Sequence, residues 1–83
     1  MNPYYLYILQ CADQTLYTGI TKELERRLYE HNLTSLGAKY TSGRRPVKLV
    51  YFEKLVDKSA ALKREILVKK MTREQKIDLI SNA

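Results

Sequence analysis

The stretch YYLYILQCADQTLYTGITKELERRLYEH, residues 4–31, determines the architecture of this 83-residue chain. The run from Tyr4 to Leu9 is entirely aromatic and aliphatic, which is typical of a central strand covered on both faces. Residues 12–14 (ADQ) are polar enough to turn, and Leu16 to Ile20 reads as a second strand. The stretch therefore predicts a β-hairpin, followed by a helix from Lys22 to about Asn32.

The predicted hairpin places two tyrosines close together. If the turn is centred on Ala12, Tyr7 lies directly opposite Tyr17, and their Cβ atoms are about 5 Å apart on one face of the sheet. Gly19 lies on the same face, where its missing side chain leaves room for something to approach the backbone. We therefore expect this face to carry a site.

The predicted helix has polar side chains in unusual positions. Thr21 is a suitable N-cap, and Leu24 and Leu28 form the buried stripe. At about 100° per residue, Arg27 and His31 fall beside that stripe and should point along the edge of the sheet. The alternative is an arginine whose stem covers apolar surface, together with a polar histidine at the core boundary.

The segment 33–46 has neither a helix nor a strand period, so we predict a loop. Basic residues and an aromatic residue alternate within and just after it, which suits contact with a phosphate backbone and stacking on bases. A solvated loop without a partner is the alternative. The residues predicted to contact nucleic acid are Lys39, Tyr40, Arg44, Arg45 and Lys48 here, and Lys69 further along the chain.

A third strand is predicted from Val47 to Phe52, and the next helix from Asp57 or Ser59 to about Met71. Leu62 and Ile66 should form the inner stripe of that helix. Glu65 and Lys69 flank this stripe, although they are also spaced as an ordinary surface ion pair.

The chain is predicted to end in a short helix that begins with the capping box TREQ at 72–75 and packs back through Ile77 and Ile80. The elements together indicate an α/β fold in one domain, residues 1–83, with a small three-stranded antiparallel sheet flanked by helices. A domain of this size buries one core, so a site should be shallow.

Composition limits the partners. Lysine and arginine number 15 against 9 aspartates and glutamates, a net charge of +6. Such an excess favours a polyanion, nucleic acid first and an anionic membrane second, although a basic protein without such a partner remains open. A single cysteine, Cys11, no long apolar run and no signal peptide indicate a cytoplasmic protein without a membrane span.

The candidate chemical groups are two phenols, a guanidinium, an imidazole and a carboxylate, from Tyr7, Tyr17, Arg27, His31 and Glu65. The sequence has no CxxC, HExxH or P-loop motif. One carboxylate beside phosphate oxygens can hold Mg²⁺, and an arginine can neutralise charge on a phosphate under attack. A tyrosine acting as base would need its pKa lowered by about three units, roughly 4 kcal/mol.

The segments LYIL (6–9), LYTG (16–19) and ERRLYEH (25–31) resemble the GIY-YIG nuclease domain. Residues 5–7 (YLY) stand where that family has GIY, with Tyr and Leu replacing its Gly and Ile, and residues 17–19 (YTG) stand where it has YIG. Arg27, His31 and, in ALKREILVKKM, Glu65 match further motif positions. The stretch GAKYTSGRRPVKLVYFE (37–53) resembles the small single-domain bacterial branch of the family.

The resemblance implies hydrolysis of phosphodiester bonds with Mg²⁺ or Mn²⁺. DNA is favoured over RNA as the substrate, and an endonuclease over an exonuclease, but the sequence itself decides neither. Tyr17 would be the base or position the water, with Tyr7 beside it, and Arg27 would hold the scissile phosphate. Glu65 would anchor the metal, and His31 would assist proton transfer or contact phosphate. Two alternatives stay open, namely a nucleic-acid-binding module that cuts poorly and a scaffold for an acidic protein.

Overall fold

The computed structural model describes residues 2–34 and 36–82. Within these residues, three strands and four helices follow one another. In order they are β1 (Tyr4–Gln10), β2 (Leu16–Thr21), α1 (Leu24–Leu33), α2 (Lys39–Ser42), β3 (Lys48–Leu55), α3 (Lys58–Lys69) and α4 (Arg73–Ser81). Within the described residues no helix is long and apolar enough to cross a membrane.

The strands form one antiparallel sheet in the order β2-β1-β3, which confirms the predicted fold class. The most apolar strand, β1, is central, because only a central strand is paired on both edges and covered on both faces. Helices cover both sides of this sheet.

The core consists of two clusters on opposite faces of the sheet. On one face Tyr7 and Leu9 pack with Leu24 and Leu28 of α1. On the other face Leu6 and Ile8 pack against Val68 of α3, and residues of α4 join them. Neighbouring residues of β1 point to opposite sides, so one strand contributes to both clusters.

The predicted register of the hairpin is wrong by two residues. Tyr7 pairs with Gly19, and Tyr17 pairs with Leu9. The turn is centred on Asp13, because the Cys11 N–H donates to the Thr15 carbonyl at 2.9 Å. The Asp13 carboxylate accepts hydrogen bonds from the Thr15 backbone N–H and hydroxyl. Tyr7 and Tyr17 nevertheless share one face, as predicted, with ring centroids 6.4 Å apart.

Two local predictions around α1 and α2 are also wrong. The N-cap of α1 is Glu23, and Thr21 instead ends β2 and accepts a hydrogen bond from the Glu23 N–H at 3.2 Å. The segment predicted to be a loop contains the single turn α2, Lys39–Ser42. A helix this short has no hydrophobic period that a sequence could reveal.

The largest difference concerns the face that α3 turns to the sheet. Asp57 caps the helix, accepting a hydrogen bond from the Ala60 N–H, as one of the two predicted starts. However, Leu62 and Ile66 are 41% and 55% exposed, whereas Ala61 and Val68 are fully buried. The prediction of an inner Leu62–Ile66 stripe is therefore wrong.

Helix α4 begins as its sequence predicts. Thr72 and Gln75 form the reciprocal capping box. Ile80 packs into the core as expected, but Ile77 is 42% exposed, and Leu79 takes its place.

Candidate active site

The ring of Tyr7 lies across β2 because its partner there is a glycine. A Cβ atom added to Gly19 would lie 2.5 Å from the Tyr7 hydroxyl oxygen and 2.7 Å from the ring carbon that carries it. The space that the sequence suggested for an approaching ligand is therefore filled by Tyr7 itself. Gly19 lets the hydroxyl reach the residues of α1.

We expect Gly19→Ala to lower the free energy of unfolding by about 1–3 kcal/mol, the usual cost of overpacking. Tyr7 would also be displaced from its contacts. Urea unfolding of Gly19→Ala and of the control Gly43→Ala, whose added Cβ meets nothing within 4 Å, measures the difference. Equal stability of the two variants would contradict the packing of Tyr7 against Gly19.

His31 is a fully buried residue, not an edge residue as its position beside the stripe of α1 suggested. Its Nε2 is hydrogen bonded to the Tyr7 hydroxyl at 2.9 Å, and its Nδ1 to the Thr41 hydroxyl at 2.8 Å. The Thr41 hydroxyl also contacts the Ala38 carbonyl at 2.9 Å. The imidazole thus joins β1, α1 and α2 beneath the surface.

Burial keeps this pair uncharged at neutral pH. Desolvation raises the pKa of Tyr7 to about 12, against a hydrogen bond from Arg27 that lowers it. Desolvation lowers the pKa of His31 to about 4, and the positive charge of Arg27 adds to the effect. Tyr7 is therefore a protonated phenol, and His31 a neutral imidazole, near pH 7.

Protonation of His31 should destabilise the fold in mild acid. Because its pKa falls from the ordinary 6.5 to about 4, the unfolded state binds the proton first, and stability is lost as the pH falls through this window. Between pH 6.5 and 4, we expect the free energy of unfolding of the parent protein to fall by about 3 kcal/mol more than that of His31→Gln. Urea unfolding across this range tests it, and parallel pH curves for the two proteins would contradict it.

Arg27 lies at the mouth of this buried pair. Its Nη1 donates to the Glu30 carboxylate at 2.9 Å and to the Leu36 carbonyl at 2.8 Å. Its side chain is 27% exposed, and its guanidinium contacts the Tyr7 hydroxyl. These contacts fix the guanidinium and leave part of it at the surface.

Tyr17 links this group to the segment around α2. Its ring centroid is 5.3 Å from His31 and 5.7 Å from the stacked ring of Tyr40. The guanidinium carbon of Arg44 lies 4.1 Å from the centroid of Tyr40. A row of planar groups therefore runs from the buried imidazole out to a surface arginine.

Glu65 lies on α3. Its negative charge makes the smallest contribution to the raised pKa of Tyr7. Its side chain is 18% exposed and pairs with Lys69 along the helix, Oε2 to Nζ 3.3 Å. Strand β1 carries Tyr7, and helices α1 and α3, which pack on the sheet, carry Arg27 and Glu65.

Glu65 is the residue that could hold a metal. Among the described residues, His, Cys, Asp and Glu form no group of three or more that could ligate an ion. A single carboxylate does not suit an ion enclosed by protein ligands. It fits Mg²⁺, which keeps several waters and takes further oxygens from phosphate.

The predicted nucleic-acid-binding residues have different surroundings. Lys39 and Lys48 are exposed, and Tyr40 is 39% exposed. Arg44 pairs with Asp13 at 3.0 Å. Arg45 donates to the carbonyls of His31 and Thr34, so it holds the end of α1.

Sequence reasoning missed two residues that build the site. Thr41 is fully buried and holds the second nitrogen of His31. The Asn32 amide donates to the Val47 carbonyl and accepts from the Val47 N–H, which fixes α1 to the start of β3. Neither residue belongs to a periodic pattern. A polar residue next to the helix end was the one available signal for Asn32.

The fold and site define a small α/β protein in which two tyrosines and a histidine pack together on one face of a three-stranded antiparallel sheet. The family described as the GIY-YIG catalytic domain matches residues 3–78. The chain belongs to this family, as its motifs predicted. Members of the family are nucleases, and they are generally dependent on divalent metal.

Its relatives are UPF0213 proteins. One from Syntrophus aciditrophicus (strain SB) is 55% identical over 80 residues, 96% of this chain and 92% of the relative. One from Clostridium perfringens (strain 13 / Type A) is 56% identical over 78 residues, 94% of this chain and 83% of the relative. These are small single-domain bacterial proteins.

Solved structures show the same fold. The solution NMR structure of a UPF0213 protein from Bacillus halodurans matches with a TM-score of 0.61 at 40% identity, over 95% of this chain and 83% of that one. The solution NMR structure of a protein from E. faecalis matches with a TM-score of 0.67 at 44% identity, over 99% and 86%.

Proposed function

We propose that this protein is a divalent-metal-dependent nuclease that hydrolyses phosphodiester bonds in nucleic acid, DNA rather than RNA. One observation carries the proposal. The Tyr7 hydroxyl is hydrogen bonded to the buried His31, and the charges of Arg27 on α1 and Glu65 on α3 both act on its pKa. Membership of the GIY-YIG family supports a nucleic-acid substrate.

Glu65 would hold Mg²⁺ or Mn²⁺ through its carboxylate, with substrate oxygens and water as the other ligands. When bound, the metal would polarise the scissile phosphate and neutralise charge that develops on it. The pair with Lys69 keeps the carboxylate at the surface of α3 and would have to loosen for the ion to bind.

Arg27 would hold the scissile phosphate. Glu30 and the Leu36 carbonyl occupy its Nη1, so a phosphate would be bound through the remaining N–H groups of Nε and Nη2 that do not face Tyr7. Because these contacts exist before substrate arrives, the guanidinium needs little reorganisation. Preorganised donors of this kind stabilise a transition state effectively.

The two tyrosines would have different tasks. Tyr7, with a pKa of about 12, stays protonated and would orient Arg27. Tyr17 would orient the attacking water and, in its phenolate form, accept the proton that the water loses. The water oxygen bonds to phosphorus as the bond to the leaving oxygen breaks, and that oxygen takes a proton from solvent.

His31 would act through Tyr7. Its side chain is fully buried, so a phosphate has no surface on it to approach. Its hydrogen bonds to Tyr7 and Thr41 instead fix the phenol. We therefore propose His31 as a positioning residue, in place of a phosphate ligand.

Lys39, Arg44 and Lys48 would attract the backbone, and Tyr40 would offer an aromatic edge to a base. Lys69 would join them once Glu65 binds a metal. Arg45 would not contact the backbone itself, because its N–H groups already donate to carbonyl groups at the end of α1.

Lys39→Ala should lower the slope of log K for nucleic-acid binding against log salt concentration by ~0.7–0.9, because one phosphate contact is lost. Lys63→Ala, at an exposed position of α3, is the control and should leave the slope unchanged. An unchanged slope in Lys39→Ala would remove Lys39 from the interface.

The test of the nuclease proposal is cleavage of labelled single-stranded, duplex and branched DNA and RNA, with Mg²⁺, with Mn²⁺ and with EDTA. We expect metal-dependent cutting of at least one DNA that is absent in EDTA. Binding without cutting in every metal would instead support the second candidate, a nucleic-acid-binding module. Among the described residues, His, Cys, Asp and Glu form no group of three or more that could ligate an ion, which favours that candidate.

A further inference from the structure

Helix α3 sits on the sheet in a rotation that hydrophobic burial alone would not select. Ala61 and Val68 are fully buried against the sheet, while the larger Leu62 and Ile66 are 41% and 55% exposed. Burying an apolar side chain is favourable in proportion to its area, so the Leu62–Ile66 face should turn inward. Another contact must therefore oppose that turn.

The opposing contact is an ion pair between α3 and β3. The Arg64 Nε donates to Glu53 Oε1 at 2.8 Å, and Nη2 donates to Oε2 at 2.8 Å. The Tyr51 hydroxyl also donates to Glu53 Oε2. Two parallel bonds to a planar guanidinium fix its direction as well as its distance. We call this set, Arg64 with Glu53 and Tyr51, the α3 clamp.

Other polar contacts of α3 cannot set its rotation. The pair between Glu65 and Lys69 lies within the helix and turns with it. The Asp57 cap bonds to the first turn of the same helix. Among the described residues, the α3 clamp is the side-chain hydrogen bonding that joins this helix to the sheet.

The rotation decides where Glu65 lies. At about 100° per residue, Ala61, Arg64, Glu65 and Val68 share one side of the helix, and the centre of the Leu62–Ile66 stripe is roughly 120° away. Turning that stripe to the sheet would carry Glu65 from one flank of the contact to the other. The carboxylate would then leave Tyr7.

We propose that the α3 clamp is a positioning device that selects the rotation of α3 and so holds Glu65 at the site. The clamp residues would touch neither substrate nor metal and would act through the helix. The inference rests on the proposed function in assigning a metal to Glu65. Leu62 and Ile66 stay exposed in this rotation, so the fold is less stable than it would be with both buried, while the Glu65 carboxylate is held at the site.

The test uses Arg64→Met, which breaks the clamp, and the triple variant Arg64→Met with Leu62→Gln and Ile66→Gln. The full chain is titrated with Mg²⁺ alone, and the NMR chemical shifts of the amides near Glu65 are monitored. The titration gives the half-saturating Mg²⁺ concentration. Arg64→Met should raise it about tenfold or more, as loss of a group supporting a metal ligand does. The triple variant should recover to within about threefold of the parent, because the drive to rotate is gone.

Charge alone predicts the opposite result. Removing a positive charge beside Glu65 should tighten cation binding, so weaker binding in Arg64→Met points to geometry. Lys63→Met, which removes the neighbouring charge, is the matched control and should bind Mg²⁺ at least as tightly as the parent. Unchanged Mg²⁺ binding in Arg64→Met would overturn the proposal, and so would equally weak binding in the triple variant.

A second readout is independent of metal. In Arg64→Met, new NOEs should join the Leu62 methyl groups to the sheet, and their absence would also overturn the proposal. If Arg64→Met does not fold, Glu53→Gln takes its place, because glutamine keeps the volume of glutamate and one of its two acceptor oxygens. Glu53→Gln should raise the half-saturating Mg²⁺ concentration by a smaller factor, and an unchanged concentration would count against the clamp. If the parent protein neither binds Mg²⁺ near Glu65 nor cleaves nucleic acid, the proposed function is wrong. The role of the clamp in setting the rotation of α3 is still tested in that case, because the Leu62 NOEs in Arg64→Met do not depend on metal.

Discussion

Glu65→Gln is expected to lower the rate of metal-dependent cleavage by about 10³-fold, while the binding of nucleic acid stays equal or becomes slightly tighter. The rate falls because a neutral amide is a poor ligand for a hard cation, whose contribution to the transition state is several kcal/mol. Binding improves because a negative charge near the phosphate is removed. Single-turnover rates and filter binding on one DNA measure both effects.

The matched control is Glu74→Gln, which removes the same charge from the exposed first turn of α4. It should cleave within about twofold of the parent, as a surface substitution away from the site does. Equal cleavage by Glu65→Gln and Glu74→Gln would exclude Glu65 as the metal ligand. Loss of binding in Glu65→Gln would instead indicate a structural role for this residue.

Arg27→Met is expected to slow cleavage by about 10²–10³-fold, the usual effect of removing one preorganised donor from a transition state. The loss should fall on the single-turnover rate more than on substrate affinity, because charge on the phosphate grows during the reaction. Arg27→Lys keeps the charge but not the planar fork, and should recover only part of the rate.

Arg26→Met is the control for this prediction, since Arg26 is the preceding residue of α1. Its side chain is 72% exposed and pairs with Glu23 and Glu30 at 3.4 Å, so its loss should change the rate little. Thermal unfolding of each variant separates misfolding from lost chemistry, because Arg27 also holds the Leu36 carbonyl. A similar rate in both variants would remove Arg27 from the reaction.

The sequence predicts the sheet well because its signals are local. The apolar run of β1, the capping box at Thr72 and the face shared by Tyr7 and Tyr17 all follow from residue type and spacing. The register fails because the turn lacks an Asn-Gly or Asp-Gly pair. Gln14 instead adopts a positive φ of 72°, and Asp13 holds the turn through its side chain.

The position of His31 and the rotation of α3 could not be predicted, because each depends on residues far along the chain. Nothing near His31 in sequence indicates that Tyr7 and Thr41 will satisfy both of its nitrogens inside the core. The pattern of α3 favours burial of Leu62, whereas in the structure Leu62 is 41% exposed and Arg64 of α3 pairs with Glu53 of β3. In both cases the polar contacts join residues that are distant in sequence, so no local pattern reveals them.

The most direct test is cleavage of DNA with one non-bridging oxygen of the scissile phosphate replaced by sulfur. If a cation held by Glu65 contacts that oxygen, one diastereomer should be cut slowly in Mg²⁺ and far faster in Mn²⁺, which accepts sulfur more readily. In Glu65→Gln, Mn²⁺ should no longer accelerate the cleavage of that diastereomer. Equal rates in Mg²⁺ and Mn²⁺ for both diastereomers, relative to the all-oxygen DNA, would contradict a shared site for metal and phosphate.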